Sequence, residues 1–259
     1  MQPQDYAYLY ELEENFWWFT GMRAITSTLL AAVLSDEGER KVLDAGCGTG
    51  GMMSWLTRYA QNGEVAGVDL SPHALQFSQR AHRNLSRASL THLPFADASF
   101  DLVTSFDVLQ HVPRDGDARA LDEIYRVLRP GGVAFVRVSA YQWMRSAHDD
   151  ALDVKQRYSL KELASEMRRA GFHIQRATYA NSLLFPVAVL KRLVFSRIGF
   201  SDTESEVKPW SKTFQWMNGL LTVPLKIEAA ALKTIDLPFG LSAICIGEKP
   251  LGQRDGLRT

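Results

Sequence analysis

Two acidic residues of this sequence each end a short apolar run. Asp44 closes Lys41-Val-Leu-Asp44 just before a glycine-rich turn, and Asp69 closes Glu64-Val-Ala-Gly-Val-Asp69. A carboxylate accepts hydrogen bonds from an ammonium group or from a pair of neighbouring hydroxyls. The same carboxylate repels a pyrophosphate, so Asp44 favours a ligand that presents an ammonium or hydroxyl group.

The turn after Asp44 carries glycines at positions 46, 48, 50 and 51. Without a Cβ they allow φ > 0 and let a ligand lie against the backbone. The helix predicted over 51–59 also begins with unpaired N–H groups. The spacing Gly46-x-Gly48-x-x-Gly51 fits the dinucleotide fingerprint as well. The turn alone therefore predicts a nucleotide-type site, with a purely structural turn as the alternative.

Asp69 lies about 20 residues beyond the turn, where an acid typically holds both ribose hydroxyls of a nucleotide. The alternative is that Asp69 caps the next helix, predicted over 72–84. Ser71 and Pro72 suit the start of that helix better. Asp69 is therefore expected to bind ligand.

The composition predicts one α/β domain with an elaboration. The chain has 259 residues, 46% of them hydrophobic, and its 29 basic and 29 acidic residues give a formal charge of zero. Zero charge gives no general attraction to nucleic acid, so a small molecule is the expected partner. Cys47 and Cys245 lack zinc-site or disulfide spacing, which fits the cytoplasm, and no metal site is predicted. Neither a signal peptide nor an apolar run of membrane-spanning length is recognised.

Residues 1–35 are predicted to form an aromatic helical segment. The stretch 6–19 is too aromatic for a disordered leader, so it should pack on something. It is either a helix laid against the sheet or a neighbouring subunit, or a lid over the ligand mouth that brings Trp18 to the substrate. Arg23, before a helix predicted over 24–34, either meets a ligand carboxylate or is a surface charge.

Residues 36–180 are predicted to form the cofactor-binding core, because strands alternate with helices in the manner of a parallel sheet. The elements expected after the second strand are a short strand near Leu90, a loop at Pro94, a buried strand over 100–105, a helix over 117–128, a turn over 129–132, a strand over 133–138, a helix from a capping box at Ser159 to Ala170 and a strand over 172–179.

Five segments together resemble the class I S-adenosylmethionine-dependent methyltransferases. They are Val42-Leu-Asp-Ala-Gly-Cys-Gly-Thr-Gly50, Gly67-Val-Asp-Leu-Ser71, Leu93-Pro-Phe-Ala-Asp-Ala-Ser-Phe-Asp-Leu-Val103, Asp107-Val-Leu-Gln-His-Val112 and Leu128-Arg-Pro-Gly-Gly132. The sequence is similar to the branch that includes the ubiquinone/menaquinone-type C-methyltransferases. The resemblance is dense over roughly residues 40–140. It implies a Rossmann-like, doubly wound α/β fold with a mostly parallel seven-stranded sheet and an antiparallel last strand.

The resemblance implies S-adenosylmethionine as cofactor and assigns residues to it. Leu70 should pack on the adenine beside Asp69, and Phe106 should contact the methionine part. The family usually has an acid for the adenine amino group where this chain has Ser89, so the Ser89 hydroxyl and the Leu90 backbone would take that role more weakly. The residues expected to line the methionine part are Asp44, Ala45, Gly46, Cys47, Gly48 and Gly50, with Arg23 as a partner for its carboxylate.

Histidines and aromatic residues supply the remaining site predictions. His111 is a candidate base, although in this family it is more often a packed structural histidine. Tyr141, Trp143 and His148 follow the fifth strand, at the sheet edge where open α/β sheets bind ligands, and are predicted to meet the substrate. His148 is the second candidate base, since its pKa near neutrality suits proton removal. Its alternative is a helix cap or a surface pair with Asp149 or Asp150.

Residues 181–237 form an insertion before the last predicted strand, at 238–248, and residues 249–259 are expected to be a flexible tail. A connection that long should carry its own structure. Two helices are predicted, over 183–198 and 213–234, around a polar break at 201–211. The insertion is interpreted as a cap over a large apolar acceptor, as a homodimer interface, or as a basic amphipathic patch on a membrane.

The function implied is direct, in-line transfer of a methyl group to a small acceptor that is apolar or aromatic, with isoprenoid and lipid-linked compounds among the options. The protein is expected to be cytoplasmic, with peripheral membrane contact as an option. Proximity, orientation and exclusion of water would be the protein's main contributions. Two alternatives remain: an NAD-dependent oxidoreductase, and a non-catalytic partner protein that only binds the cofactor.

Overall fold

The computed structural model describes residues 3–35, 38–113, 115–198 and 216–252. Seven strands within these residues form one sheet in the order β3-β2-β1-β4-β5-β7-β6. Pairing is parallel from β3 through β5 and antiparallel for β5 with β7 and β7 with β6. The strands are β1 (Val42–Ala45), β2 (Val65–Asp69), β3 (Leu85–Arg87), β4 (Phe100–Phe106), β5 (Leu128–Ser139), β6 (His173–Ala180) and β7 (Ser242–Glu248). The predicted fold class is confirmed.

Helices cover both faces of this sheet and extend it at the N-terminus and before the last strand. They are α1 (Pro3–Asn15), α2 (Trp17–Ala31), α3 (Gly51–Ala60), α4 (Pro72–Ser78), α5 (Asp117–Val127), α6 (Ala147–Ala151), α7 (Leu160–Arg169), α8 (Phe185–Ile198) and α9 (Trp216–Ala231). None of the described helices is long and apolar enough to cross a bilayer.

The parallel register brings the acidic strand ends to one edge of the sheet. Asp44 of β1 stands opposite Gly67 of β2 and Thr104 of β4. Carboxyl ends of parallel strands converge at the same edge, and the order reverses between β1 and β4. This switch point is where an open α/β sheet binds its ligand, and it lies directly beneath the glycine turn.

Two apolar cores, one on each face, hold the sheet in place. One core packs α5 and α7 against β4, β5 and β7, and the other packs α2, α3 and α9 against β1, β4 and β5. Helix α9 lies on α2 so closely that a Cβ built on Gly21 would come within 2.2 Å of Leu225 Cδ1. The N-terminal segment and the insertion are therefore in direct contact.

Several predicted boundaries are wrong. Helix α4 ends at Ser78, not near 84, because the chain must return to the sheet to pair Leu85 with Gly67, and the short strand therefore precedes Leu90. Residues 129–132 belong to β5 and do not form a separate turn. Helix α2 starts at Trp17, not at the predicted residue 24. It continues through Gly21, which disfavours helix, because its contact with α9 stabilises it.

Other local predictions are confirmed. Ser159 Oγ accepts the N–H of Glu162 at 3.2 Å, and the Glu162 carboxylate accepts the N–H of Ser159 at 2.8 Å, so the capping box at the start of α7 is present. The predicted polar break at 201–211 lies outside the described residues, as does most of the predicted tail, 253–259.

Candidate functional site

A cavity of about 910 Å³ opens at the switch point of the sheet. Its floor is the glycine turn with the ends of β1, β2 and β4, and its roof includes α1 and the start of α2. The predicted site residues that line it are Trp18, Asp44, Gly46, Cys47, Gly48, Asp69, Leu70, Ser89, Leu90, Phe106 and His111. Residues from six separate segments of the chain thus meet in one space.

The glycine turn is shaped to hold a ligand. Gly46 and Gly48 have φ of +96° and +54°, in the left-handed region that glycine favours. A Cβ on Gly46 would come within 2.2 Å of Val108 Cγ2. A Cβ on Gly48 would meet no protein atom within 4 Å, so it would project into open space beside the cavity. Glycine at position 48 therefore leaves room for the ligand. Glycine at position 46 avoids a clash with Val108.

Asp69 ties the turn to the end of β2. Its Oδ2 accepts the N–H of Gly48 at 2.9 Å and its Oδ1 accepts the N–H of Ser71 at 2.8 Å. Each oxygen has further accepting capacity for a pair of ligand hydroxyls. The N-cap of α4 is Ser71, which accepts the N–H of Ala74, as expected. Leu70, next to Asp69, is 65% exposed, an unusual state for leucine that suits an adenine face packed on it.

Asp44 is the most buried acid of the cavity. Its side chain is 1% exposed and its Oδ1 accepts the hydroxyl of Thr104 at 3.0 Å. Burial raises the pKa of Asp44 to about 7, and repulsion from Glu13 and Asp69 adds to that rise. A cation placed beside Asp44 would relieve both effects, since it stabilises the ionised carboxylate.

Glu13 of α1 reaches the same cavity, a role that sequence reasoning missed. Its Oε2 accepts the N–H of Gly51 at 2.9 Å, at the start of α3. A Cβ on Gly51 would come within 2.5 Å of that oxygen, so glycine is required for the contact. Burial raises the pKa of Glu13 as well. In the sequence, the only indication of this role was an acidic residue within the aromatic N-terminal segment.

Three carboxyls make this cavity acidic; those of Glu13 and Asp44 are buried, and that of Asp69 is partly buried. The pKa values of Glu13, Asp44 and Asp69 are all raised, with burial as the largest cause in each case. A pyrophosphate binds at a helix N-terminus through free N–H groups. Here the Gly51 N–H already serves Glu13. The site therefore fits a ligand that brings an ammonium or sulfonium group with ribose hydroxyls, and it disfavours a dinucleotide.

The wall expected to face adenine contains hydroxyls where the family usually has an acid. Ser89 Oγ and Thr91 Oγ1 lie 2.9 Å apart, and Ser89 Oγ also accepts the N–H of Thr91 at 3.3 Å. Leu90 is buried between them and lines the cavity. The wall thus offers two neighbouring hydroxyls where sequence reasoning named one.

An ion pair stands in the cavity wall near the end of β5, and sequence reasoning missed it too. Asp107 Oδ2 accepts the Nε and Nη2 N–H groups of Arg137 at 3.0 and 2.7 Å. The guanidinium lies over the rings of Trp18 and Phe106, with Cζ 5.0 and 4.9 Å from their centroids, and Nη1 has no hydrogen-bond acceptor. The signal was an arginine among the otherwise apolar residues of the strand predicted over 133–138.

Of the two candidate bases, His111 lies in the described part of the structure with its side chain. His111 lines the cavity, and its Nδ1 lies 3.2 Å from the carbonyl oxygen of Asp153. A carbonyl only accepts, so Nδ1 carries the proton and Nε2 is the nitrogen left to take one. His148 lies on α6, but its side chain is outside the described part of the structure. The acids named as its surface partners bind arginines: Asp149 pairs with Arg157 and Asp150 with Arg145.

Three predicted cofactor residues lie outside the cavity lining. The Ala45 side chain is buried in the core on the other face of the sheet. Gly50 faces α4, where a Cβ would come within 2.6 Å of Ser78 Oγ. Arg23 has a buried Nε without an acceptor, and burial lowers its pKa while nearby Glu13 raises it. These three residues therefore support the glycine turn and the cavity wall without lining the cavity.

Tyr141 and Trp143 are also absent from the cavity lining. Tyr141 has φ of +59° and stacks on Tyr179 with ring centroids 5.2 Å apart, and Trp143 packs edge-on against Phe185 at 6.2 Å. They border a separate groove of about 480 Å³ between the insertion and the loop before β7. Its lining residues are Phe185, Pro186, Val189, Leu190 and Phe239, and we call it the apolar groove.

Comparison with known proteins matches the core of this chain. Residues 43–136 match a family model described as a methyltransferase domain. The phthiotriol/phenolphthiotriol dimycocerosates methyltransferase of Mycobacterium tuberculosis is 37% identical over 101 residues, which cover 38% of this chain and 37% of that protein. The demethylmenaquinone methyltransferase of Lactiplantibacillus plantarum is 42% identical over 99 residues, covering 35% and 41%. The match thus spans about two fifths of these relatives' length.

Solved structures extend the likeness to nearly the whole fold. An S-adenosylmethionine-dependent methyltransferase from Mesorhizobium loti superposes with a TM-score of 0.53 at 20% identity, covering 86% of this chain and 97% of that one. At that identity the likeness establishes the fold alone.

Proposed function

We propose that this chain, which by its core domain belongs to the class I S-adenosylmethionine-dependent methyltransferases, moves a methyl group from that cofactor to an apolar acceptor. The methyltransferase family was predicted from the sequence and is confirmed by the match over residues 43–136. The predicted cofactor, S-adenosylmethionine, is the one for which a solved methyltransferase of this fold is named. The chain's own activity and its acceptor are the proposal. The observation that carries it is the acidic, glycine-floored cavity.

Different residues of the cavity would bind different parts of the cofactor. Asp69 would accept both ribose hydroxyls, Leu70 would cover one adenine face, and the Ser89 hydroxyl would meet the adenine edge. Asp44 would stabilise the cationic amino-acid end, since a cation beside it lowers its pKa from the value of about 7. When bound, the cofactor supplies a methyl group on a positively charged sulfur.

The chain's contribution to the transfer is orientation and exclusion of water. Trp18 and Phe106 line the cavity, and the rings of both pack on the Arg137 guanidinium. They would contact the apolar part of an acceptor whose polar atom points at the sulfonium. His111 Nε2 would take a proton from that atom.

The acceptor we propose is a flat or chain-like apolar molecule with one reacting polar atom. The roof of the cavity is apolar, with Leu9, Trp18 and Phe19 facing Met52 and Phe106. The two matched relatives are named for a demethylmenaquinone and for phthiotriol lipids. Isoprenoid, lipid-linked and aromatic acceptors therefore come first in any screen, and small polar amines come last.

Transfer of a labelled methyl group tests this proposal. Purified protein is incubated with methyl-labelled S-adenosylmethionine and, separately, with a prenylated naphthoquinol, a long-chain phenol and sarcosine. We expect label in an organic extract with one of the first two acceptors and none with sarcosine. Label on sarcosine alone would contradict the apolar acceptor.

A variant separates cofactor binding from transfer. His111→Phe should keep the affinity for S-adenosylhomocysteine and lose transfer to an acceptor that must give up a proton. Tight cofactor binding by the unmodified chain without transfer to any acceptor would favour the non-catalytic alternative.

A further inference from the structure

The exposed apolar side chains of this protein are concentrated on the insertion and its border. Of the thirteen large hydrophobic residues exposed within the described residues, nine lie there. They are Trp143, Leu183, Val187, Leu190, Leu220, Val223, Ile227, Ile235 and Phe239, which we call the outer apolar face. An apolar concentration of this kind marks an interaction surface.

Helical spacing shows that these residues form ordered stripes. Leu183, Val187 and Leu190 repeat at intervals of four and three residues along α8 and the turn before it. On α9 the exposed set Leu220, Val223 and Ile227 repeats in the same manner, with exposed fractions of 47–61%. Such spacing places each set on one side of its helix. Both helices therefore present an apolar side to the outside.

The inner side of α9 already packs against the core of the protein. Leu225, Ala229 and Leu232 are buried against α2 and the sheet. Glu228 is buried as well, and its Oε1 accepts the N–H of Leu183 at 2.7 Å, which joins α9 to the start of α8. The core does not need apolar residues on the opposite side of α9. Their presence there calls for an external partner.

Charge on these helices points to an anionic partner. The sequence of α8 contains three basic residues and no acid, and the one acid of α9 is the buried Glu228. Lys226 and Lys233 are exposed on or just beyond α9. Trp143 and Phe239 stand at the border of the face, 58% and 43% exposed. Apolar stripes flanked by lysines and aromatic rings suit the headgroup region of a bilayer.

We infer that the outer apolar face docks on an anionic phospholipid bilayer. The side chains of α8 and α9 would enter the boundary between headgroups and acyl chains, and Lys226 and Lys233 would meet the lipid phosphates. The apolar groove opens among α8 residues of the same face, so it would receive a single chain from the bilayer. This inference stands independently of the proposed function.

A second copy of the chain fits this face less well. A symmetric dimer through α9 would bring each Lys226 toward the other copy's Lys226 and Lys233, and the exposed acid that follows Ile235, Asp236, is already paired with Arg176. Like charges across an interface are costly, and lysine is depleted in interface cores. A bilayer leaves the lysines at its hydrated surface.

Vesicle sedimentation tests the inference. The full chain is mixed with vesicles of phosphatidylcholine alone and with vesicles of equimolar phosphatidylcholine and phosphatidylglycerol. We expect binding to the mixed vesicles that weakens as salt is added. Val187→Glu/Leu190→Glu should lower the partition coefficient at least about tenfold. Lys226→Gln/Lys233→Gln should lower it about fivefold per lysine on mixed vesicles.

Controls keep each outcome decisive. Leu251→Glu changes the most exposed leucine outside the face, 81% exposed, and should bind vesicles as the unmodified chain does. Leu220→Glu tests α9 separately if the α8 variant fails to fold by circular dichroism. Wild-type failure to bind mixed vesicles, or equal binding by folded face variants, overturns the inference.

Two further results would overturn it in favour of other occupants. A dimer in sedimentation velocity that Val187→Glu/Leu190→Glu dissociates, without vesicle binding, would assign the face to a second copy. Vesicle binding that appears only after residues 199–215 are replaced by a glycine-serine linker would assign it to that segment.

Discussion

The cofactor cavity and the outer apolar face are built on opposite principles. The cavity contains polar groups held by backbone turns at the ends of β1, β2 and β4, and Glu13, Asp44 and Asp69 each accept a hydrogen bond from a backbone N–H or a hydroxyl. The outer face consists of apolar side chains that are exposed on two helices. Each region violates the ordinary rule for burial, and each violation points to a ligand.

The difference also concerns stability. In the cavity, each polar group is part of the local fold, so a substitution there changes both binding and structure. On the outer face, the side chains contribute little to the fold, so substitutions should affect the partner alone. The variants below test whether substitutions in the cavity and on the outer apolar face differ in this way.

The largest effect is expected from Asp69→Ala in the cavity. Loss of a charged acceptor for two hydroxyls should raise the Kd for S-adenosylhomocysteine by about 100-fold or more, since each hydrogen bond to a charged group is worth about 1.5–3 kcal/mol. Titration calorimetry measures the change. Asp122→Asn, an exposed acid on α5, is the matched control and should leave Kd unchanged. Equal affinities for both variants would remove Asp69 from the site.

A pair of glycines tests the contact between the N-terminal segment and the insertion. Gly21→Ala puts a Cβ into Leu225, so we expect a loss of about 1–3 kcal/mol in the free energy of unfolding. Gly219→Ala, on α9 with no atom within 4 Å of the new Cβ, should gain about 0.5–1 kcal/mol. Urea unfolding of both variants measures this, and a shared sign of change would contradict the packing described.

The pH dependence of the ligand-free protein tests Asp44. Its pKa in the folded chain, about 7, lies above the usual value of 3.8, so its contribution to stability is complete below pH 3.8 and is lost as pH rises through 7. Asp44→Asn should flatten the decline in the free energy of unfolding between about pH 4 and 8. Unfolding curves at several pH values measure the slope, and identical slopes in both proteins would rule out the raised pKa.

The same group predicts how binding changes with pH. A cationic ligand lowers the pKa of Asp44, so the affinity for S-adenosylmethionine should rise with pH up to about 7, by at most about tenfold per pH unit. In Asp44→Asn that dependence should vanish. Affinity that falls with rising pH in the unmodified chain would mean that the cation lies elsewhere.

The smallest effect on stability is expected on the outer apolar face. Leu220→Gln replaces a side chain that is 61% exposed, so the free energy of unfolding should stay within about 0.5 kcal/mol of its original value. Leu225→Ala, one turn away but fully buried, should cost about 2–5 kcal/mol. Comparable losses in the two variants would show that the outer side is part of the core.

The sequence was sufficient where the constraint is local. The glycine turn and Asp69 were predicted because a strand, a turn and a helix start fix their relative positions within a short stretch. The capping box at Ser159 was predicted for the same reason. The mostly parallel seven-stranded sheet with an antiparallel last strand followed from the family resemblance, which is densest over these same segments.

Prediction was weakest where distant segments meet. Glu13 contacts Gly51 across 38 residues, and Arg137 contacts Asp107 across 30, so no spacing rule connects them. Tyr141 was placed beside the methyl group, yet its positive φ and its stacking on Tyr179 put it next to the apolar groove. Such positions depend on tertiary packing, which a single sequence does not display.

One titration tests most directly whether an acidic cavity, in which the first N–H of α3 already bonds to Glu13, selects an adenosyl amino acid over a dinucleotide. The unmodified chain is titrated by calorimetry with S-adenosylhomocysteine and, in parallel, with NAD. We expect binding of S-adenosylhomocysteine in the micromolar range and no measurable heat from NAD. Binding of NAD in preference to S-adenosylhomocysteine would contradict it, because the carboxylates of Glu13 and Asp44 could not then face the ligand.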